Sequence, residues 1–231
     1  MKRYILLIFC LVATATVLVS CSDDDKLPVV NPVATGTMTD MDGNEYHWVR
    51  IGNLDWMAQN LHCGIPFYED IYNEKWGDRK FSWNGTREEA EEHFSRFGNY
   101  YSWQEAMDYA PEGWRLPTDD DWKNLEQVLG MSKADADKEN WRSGASWLMT
   151  QGTEGTGLGF LYGGQICYFS WNITVYHDYD YGYYWTSTKT DVNGEPASYA
   201  RSITPSRNAV NRIQVLHEQH FLSVRYVRDA K

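Results

Sequence analysis

Apolar and polar positions fall into three regimes along the chain. From Tyr4 to Val19 the run is almost wholly apolar (YILLIFCLVATATVLV), with no amphipathic period. Residues 22–36 (SDDDKLPVVNPVATG) reverse this, and their aspartates and prolines predict an unstructured tether. Patterned sequence begins at Thr37. TMTDMDGNEYHWVRIGNLDW reads as two strands around a turn at Met41–Asn44, where Asp42-Gly43 suits positive φ. Residues 64–100 read as an insertion containing a short helix. Thr86 and Glu89 predict its capping box, and Ala90, Phe94 and Phe97 form its apolar face. Glu88, Glu89, Glu91 and Glu92 then make a solvated face. Ser102–Tyr109 predicts a second helix with Trp103, Ala106 and Met107 inward. Thr118 caps a third, with Asp121 at the capping-box position and Asp119 and Asp120 suiting the positive helix end. Its buried stripe is Trp122, Leu125, Val128 and Leu129, and Gly130 is the stop. Helix-start chemistry accounts for all three aspartates, which ranks a metal site there well below it. Beyond Leu148 the chain is glycine-rich and strand-like, and 183–188, 198–203 and 221–228 read as strands. No period of 20–50 residues repeats, which argues against a solenoid.

The N-terminal run follows Lys2 and Arg3 and is too short to span a bilayer comfortably. It fits a secretory signal over residues 1–20. Leu18-Val19-Ser20-Cys21 resembles the lipobox of bacterial lipoproteins. That resemblance implies cleavage before Cys21, its acylation, and a lipid bilayer as partner. Two or three acyl chains on one cysteine anchor firmly, where a single chain does not. Ser22, Asp23, Asp24 and Asp25 resemble the surface-export tag of Bacteroidota lipoproteins, the plainer reading being a solvated acidic linker. Together these imply a lipid-anchored outer-membrane protein facing the cell exterior, with a lipidated tether over 21–36 and one domain over 37–231.

Composition narrows the function classes. With Lys2 and Arg3 set aside, 19 Lys and Arg face 32 Asp and Glu, a formal charge of −13 from Cys21 onward. Such a balance argues against nucleic acid as a partner. Eleven Trp and sixteen Tyr suit an aromatic-rich core. Outside the leader and Cys21, only Cys63 and Cys167 remain. A bridge between them would close a loop of about 100 residues, worth at most ~4–5 kcal/mol; two separate buried thiols is the alternative.

Chemistry-bearing motifs are few. GTEGTGLGFLYGG has neither a phosphate-loop lysine nor a G-x-G-x-x-G opening a helix. No Gly-x-Ser-x-Gly occurs. His217 and His220, three apart, fall on opposite faces of a strand and read as exposed polar residues. The aromatic stretch VYHDYDYGYYW at 175–185 is the candidate ligand site, namely Tyr176, Asp178, Tyr179, Asp180, Tyr181 and Tyr183. If extended, it puts Tyr179, Tyr181, Tyr183 and Trp185 on one face, with Asp178 and Asp180 on the other. Rings stack on sugar C–H faces and carboxylates take hydroxyls. The alternative places Tyr183–Trp185 in the core, which is favoured for Trp185. No cofactor is expected. Calcium stays open without a clear motif, since Glu195-Pro196 is followed by Ala197 where sugar-binding C-type lectins carry Asn.

An ordered set of blocks carries a wider resemblance. It runs Asp42-Gly43-Asn44 with Tyr46, Ile51-Gly52, Trp56-Met57-Ala58, Asn60-Leu61, Tyr101-Ser102-Trp103, Ala106-Met107 and Gly113-Trp114-Arg115-Leu116-Pro117-Thr118 with Trp122. It continues with Gly159-Phe160, Gly163-Gly164, Tyr184-Trp185-Thr186-Ser187 and Ser223-Val224-Arg225. Over roughly residues 37–229 the chain resembles the Fibrobacter succinogenes major paralogous (FISUMP) domain, whose members are mostly secreted or lipid-anchored. Cysteines common in that family are replaced here by Ala110 and Tyr226, and Cys63 with Cys167 would be a substitute staple. Arg-Leu-Pro-Thr with Trp122 is also similar to the C-type-lectin-like and formylglycine-generating-enzyme superfamily. This implies an α+β fold with two helices packed on a twisted, mostly antiparallel sheet, and adjacent N- and C-terminal strands. Formylglycine-generating enzymes use a late cysteine pair, and this chain has only Cys167 there. The expected function is a non-catalytic binding module for glycan or another extracellular ligand. A structural or adhesive protein–protein module is second, and an enzyme of unrecognised type third.

Overall fold

The computed structural model describes residues 27–65, 80–81, 86–169 and 172–231. The leader 1–20, Cys21 and the Ser22–Asp25 tag lie outside the described residues, as do parts of the 64–100 insertion. In chain order, β1 (Thr35–Thr39), β2 (Glu45–Ile51) and β3 (Leu54–Met57) come first, followed by a short β4 (Lys80–Phe81). Then come α1 (Arg87–Phe97), α2 (Trp103–Asp108) and α3 (Asp119–Val128). Each opens on a capping box: Thr86 with Glu89, Ser102 with Glu105, Thr118 with Asp121. One-turn helices α4 (Lys133–Ala136) and α5 (Ser146–Met149) flank β5 (Asn140–Ser143). The rest is β6 (Gln165–Phe169), β7 (Asn172–Tyr176), β8 (Gly182–Val192), β9 (Glu195–Ile203), β10 (Ala209–Leu216), β11 (His220–Phe221) and β12 (Val227–Asp229). No helix among the described residues is long and apolar enough to cross a membrane.

The α+β expectation holds at this level, but the strands form three four-stranded sheets instead of one. Their orders are β1-β2-β3-β12, β5-β10-β9-β8 and β11-β6-β7-β4, antiparallel except for β4 with β7. The C-terminal strand joins the N-terminal sheet by pairing with β3, not by lying beside β1. Local chemistry sets two of the hairpins. At β1–β2 the Asp40 carboxylate accepts from the Asp42 and Asn44 N–H groups (2.9 and 3.0 Å) and the Tyr46 hydroxyl (2.6 Å), while Gly43 takes φ 87°. At β8–β9, Asn193 and Gly194 take φ 56° and 89°, the left-handed pair a tight hairpin needs.

Alternate residues of β8, β9 and β10 feed two separate cores. Tyr184, Ile203 and Val210 pack with Trp56, Trp122 and Phe160. Trp185, Ala200 and Val215 pack with Tyr46, Tyr101, Trp103 and Trp114. In the first core Trp56 meets Trp122 edge-on at 5.2 Å, and Phe160 meets Tyr184 at 4.9 Å. Between α3 and the central sheet runs a buried ionic network. Glu126 binds Arg142 (2.6 and 2.8 Å) and Arg201 (2.6 Å), and Asp119 binds Arg201 (2.8 Å) and Arg212 (2.8 Å). Asp119 is therefore more than a helix-start residue. Burial pushes its carboxyl up, but Arg212 and Arg201 overcome this and hold it well below the usual carboxylate range.

Several expectations need correction. The tether ends early: Val30 packs on the first core, Val33 N–H donates to Arg50 O (3.0 Å), and β1 starts at Thr35 rather than Thr37. Met107 and Val128, expected inward, are 37% and 42% exposed, because each lies just off the buried arc of a short helix. Residues 150–164 form loops instead of strands, and 221–228 splits into β11, a non-strand segment and β12. Cys63 and Cys167 are both free and buried, so the bridge is not formed. Each thiol has a different neighbour, Asp42 Oδ2 (3.4 Å) for Cys63 and His220 Nδ1 (3.2 Å) for Cys167.

Candidate functional site

The 175–185 stretch is not one extended strand. β7 ends at Tyr176 and β8 starts at Gly182. Between them His177 and Tyr179 take φ 61° and 65°, a left-handed conformation that breaks the alternation of faces. The turn is held from below: Tyr179 N–H donates to Tyr162 O (2.7 Å), and Gly164 N–H donates to Tyr181 O (2.7 Å). Gly164 is required because a Cβ there would strike Tyr176 O and Asp178 N.

The turn splits the expected aromatic face. Tyr179, 55% exposed, leans on α1, edge-on to Phe97 at 5.2 Å and with the Arg96 guanidinium 5.5 Å over its ring. Asp178 follows it, with Oδ2 3.9 Å from His93 Nδ1, and burial raises its carboxyl. Asp180 is exposed, and Tyr176 is half-buried beside His177. Tyr181 turns the other way, to Trp141 (6.2 Å) and Tyr183 (6.0 Å).

That second group sits on the sheet β5-β10-β9-β8. Register places Tyr183 opposite Ser202, Ser202 opposite Asn211, and Asn211 opposite Trp141, one row across four strands. The neighbouring row Trp185, Ala200 and Ile213 leads into the second core, so this row forms its rim. Arg207, in the β9–β10 connection, lies 4.2 Å over the Trp141 ring. Ser202 Oγ and Asn211 Oδ1 are buried and have no well-formed hydrogen bond among the described residues. The Tyr183 phenol, pushed up to about 12 by burial, is close enough to be influenced by Ser202. Sequence reading missed Trp141, Ser202, Asn211 and Arg207, since only strand register and the β9–β10 connection bring them to the row of Tyr183.

Two pairs have nucleophile-and-base chemistry, and both lie within the fold. Ser198 Oγ is 2.8 Å from His217 Nε2 beside a groove of about 320 Å³ lined by Trp103, Lys189 and Glu218. Ser198 is fully buried, which denies its hydroxyl to a substrate. His217 is half-buried and stacks flat on Trp103 at 4.5 Å, so it is not the exposed polar residue expected. Burial pushes the Cys167 thiol up to about 12 and lowers its neighbour His220, which favours the neutral forms of both. Among the described residues no group of three or more His, Cys, Asp or Glu could hold a metal ion.

A family model described as the Fibrobacter succinogenes major domain matches residues 49–228. The chain belongs to that family. No curated protein and no solved structure matches it significantly. Much of what carries the resemblance is scaffold. In this Fibrobacter succinogenes major domain, the buried Arg225 guanidinium donates to Asn60 Oδ1 (2.6 Å), Met57 O (2.9 Å), Leu158 O (2.7 Å) and Gly159 O (2.7 Å). Arg115 clamps Asp121 at the start of α3 with two hydrogen bonds. The domain's aromatic rim row draws only Tyr183 from the 175–185 stretch and none of its members from those blocks.

Proposed function

We propose that the chain is a non-catalytic, surface-anchored module that binds glycan at the rim row of the central sheet. The observation that carries this reading is a pair of buried polar atoms, Ser202 Oγ and Asn211 Oδ1, without a well-formed hydrogen bond among the described residues, in a row flanked by Tyr183 and Trp141. A buried polar group without a partner costs roughly 1–3 kcal/mol. A ligand hydroxyl, or a water held by one, would relieve that cost, and the rings supply apolar planes. Both atoms are covered, so a ring must turn aside. Tyr181 is suited to that, being half-buried and set in a turn. The anchor in this reading is acylated Cys21 in the outer membrane, with Ser22–Asp25 directing it to the exterior. The lectin-like comparison draws support from the return of β12 to the N-terminal sheet.

The test is a glycan array probed with chain produced from Ser22 onward, with calcium and with chelator. Binding is expected, weakened at least about fivefold in Trp141→Ala and Tyr181→Ala, since a stacking ring is worth about 1–3 kcal/mol. Tyr179→Ala, on the α1 side, should change it less. A blank from folded protein would move the weight to a protein–protein module, for which the exposed Trp147 on α5 is the natural contact.

A further inference from the structure

The chain carries a large acidic excess, and most of its described arginines are matched to carboxylates. Arg50 and Arg228 share Asp55, Arg87 pairs with Glu91, and Arg115 with Asp121. Arg142, Arg201 and Arg212 belong to the buried network, and Arg225 is satisfied by carbonyls and Asn60. Two are left. Arg96 and Arg207 have no carboxylate partner among the described residues, and both lie over aromatic rings next to the 177–181 turn.

Arg207 is the better placed. Its backbone is fixed, with its carbonyl accepting from Ser146 Oγ (3.2 Å) and Ala209 N–H (3.0 Å). Its guanidinium lies over Trp141, next to the row that holds Asn211 and Ser202. The acid nearest to Trp141 in sequence, Glu139, is engaged elsewhere, accepting from Tyr199 (3.0 Å) and Gln214 (3.3 Å). Of the turn's two acids, Asp178 is placed towards His93, and Asp180 is exposed.

We infer that the glycan is acidic, and that Arg207 receives the carboxylate of a uronic or sialic acid while its ring packs beside Trp141 and Tyr181. This rests on the glycan reading above. A planar guanidinium stacked on a ring is pre-organised for two parallel hydrogen bonds to a carboxylate, which a lysine does not reproduce. The chain's net negative charge repels polyanions at long range, so capture of an acidic sugar must come from a local site.

The experiment uses the full chain in a detergent without a sugar headgroup. Titration follows tryptophan fluorescence with four probes: oligogalacturonate, oligoglucuronate, oligomannuronate and a sialic-acid-terminated oligosaccharide. Each is run beside its methyl ester. At least one acid form should bind about tenfold or more tighter than its ester. Arg207→Gln should erase that preference, Arg207→Lys should restore it only in part, and thermal unfolding should be unchanged in both. Equal affinity for acid and ester would overturn the inference while leaving glycan binding standing. So would an acid preference that survives Arg207→Gln. No binding to any acid or ester, with binding to neutral glycans on the array, sinks the inference alone; a blank on both sinks the two together.

Discussion

At the residue scale, His93 shows how packing assigns a proton. Its Nε2 lies 2.8 Å from the Tyr100 hydroxyl, and that hydroxyl donates its single hydrogen to Gly163 O. Nε2 must therefore carry the imidazole hydrogen. Burial, reinforced by Arg96, lowers His93 to about 4. The folded state thus disfavours the charged ring, while an unfolded histidine titrates near 6.5. Stability from this group is complete above about 6.5 and is lost as pH falls from there towards about 4, by at most about 3 kcal/mol. Urea midpoints measured across that window should fall more steeply in the native chain than in His93→Gln, where half-buried His62, His217 and His220 still resist protonation. Equal slopes in both would show that the ring is not held neutral. Nothing in the sequence singled out His93, because the Tyr100 and Gly163 groups that fix its proton meet only through tertiary packing.

At the element scale, the helix starts are local devices and were readable as such. Thr118 accepts from Asp121 N–H (3.1 Å), and Asp121 accepts from Thr118 N–H (2.7 Å). Removing the hydroxyl in Thr118→Ala should cost about 1 kcal/mol, a fall in melting temperature of roughly 2–4 °C. Asp121→Ala should cost distinctly more, because Arg115 loses the carboxylate it clamps. If thermal unfolding finds the two variants equal, the Arg115 clamp adds nothing to the cap. The β8–β9 hairpin has an equally local signal in Asn193-Gly194, which the strand pattern on either side left unread. The 177–180 turn offers a weaker signal: histidine tolerates positive φ better than most residues, but Tyr179 is of a type that ordinarily avoids it. They adopt it because Gly164 and Tyr162 hold the backbone from another part of the chain.

At the scale of the whole molecule, Arg225 joins three distant segments. It ties the 57–60 stretch, the 158–159 loop and the C-terminal segment together, with no carboxylate among its hydrogen-bond partners. Burial lowers it to about 10, so it remains protonated at neutral pH. Replacing it with Met would leave three buried acceptors and one part-buried acceptor without that donor, the buried ones costing roughly 1–3 kcal/mol each. The sum rivals the whole stability of a typical domain, about 5–15 kcal/mol. Arg225→Met should therefore fail to give soluble folded protein, and Arg225→Lys should lose at least about 3 kcal/mol by denaturant unfolding. A variant that folds normally would mean these segments are joined by packing alone. The family blocks containing Met57, Asn60, Gly159 and Arg225 have their physical account here, in a scaffold role.

Sequence alone determined what depends on neighbours three or four positions apart. That covers the helix caps at Thr86 and Thr118, the apolar face of α1, the turn at Met41–Asn44 and the stop at Gly130. Each is settled by hydrogen bonds or side-chain periodicity within one or two turns of chain. Only the tertiary structure decided the rest: three sheets instead of one, free thiols at Cys63 and Cys167, and Asp119 as an ion-pair partner. It also decided the row of Tyr183, Ser202, Asn211 and Trp141. Those contacts join residues tens of positions apart, where register decides which side chains meet. A one-residue shift between β9 and β10 would leave every local signal unchanged and dissolve the proposed site.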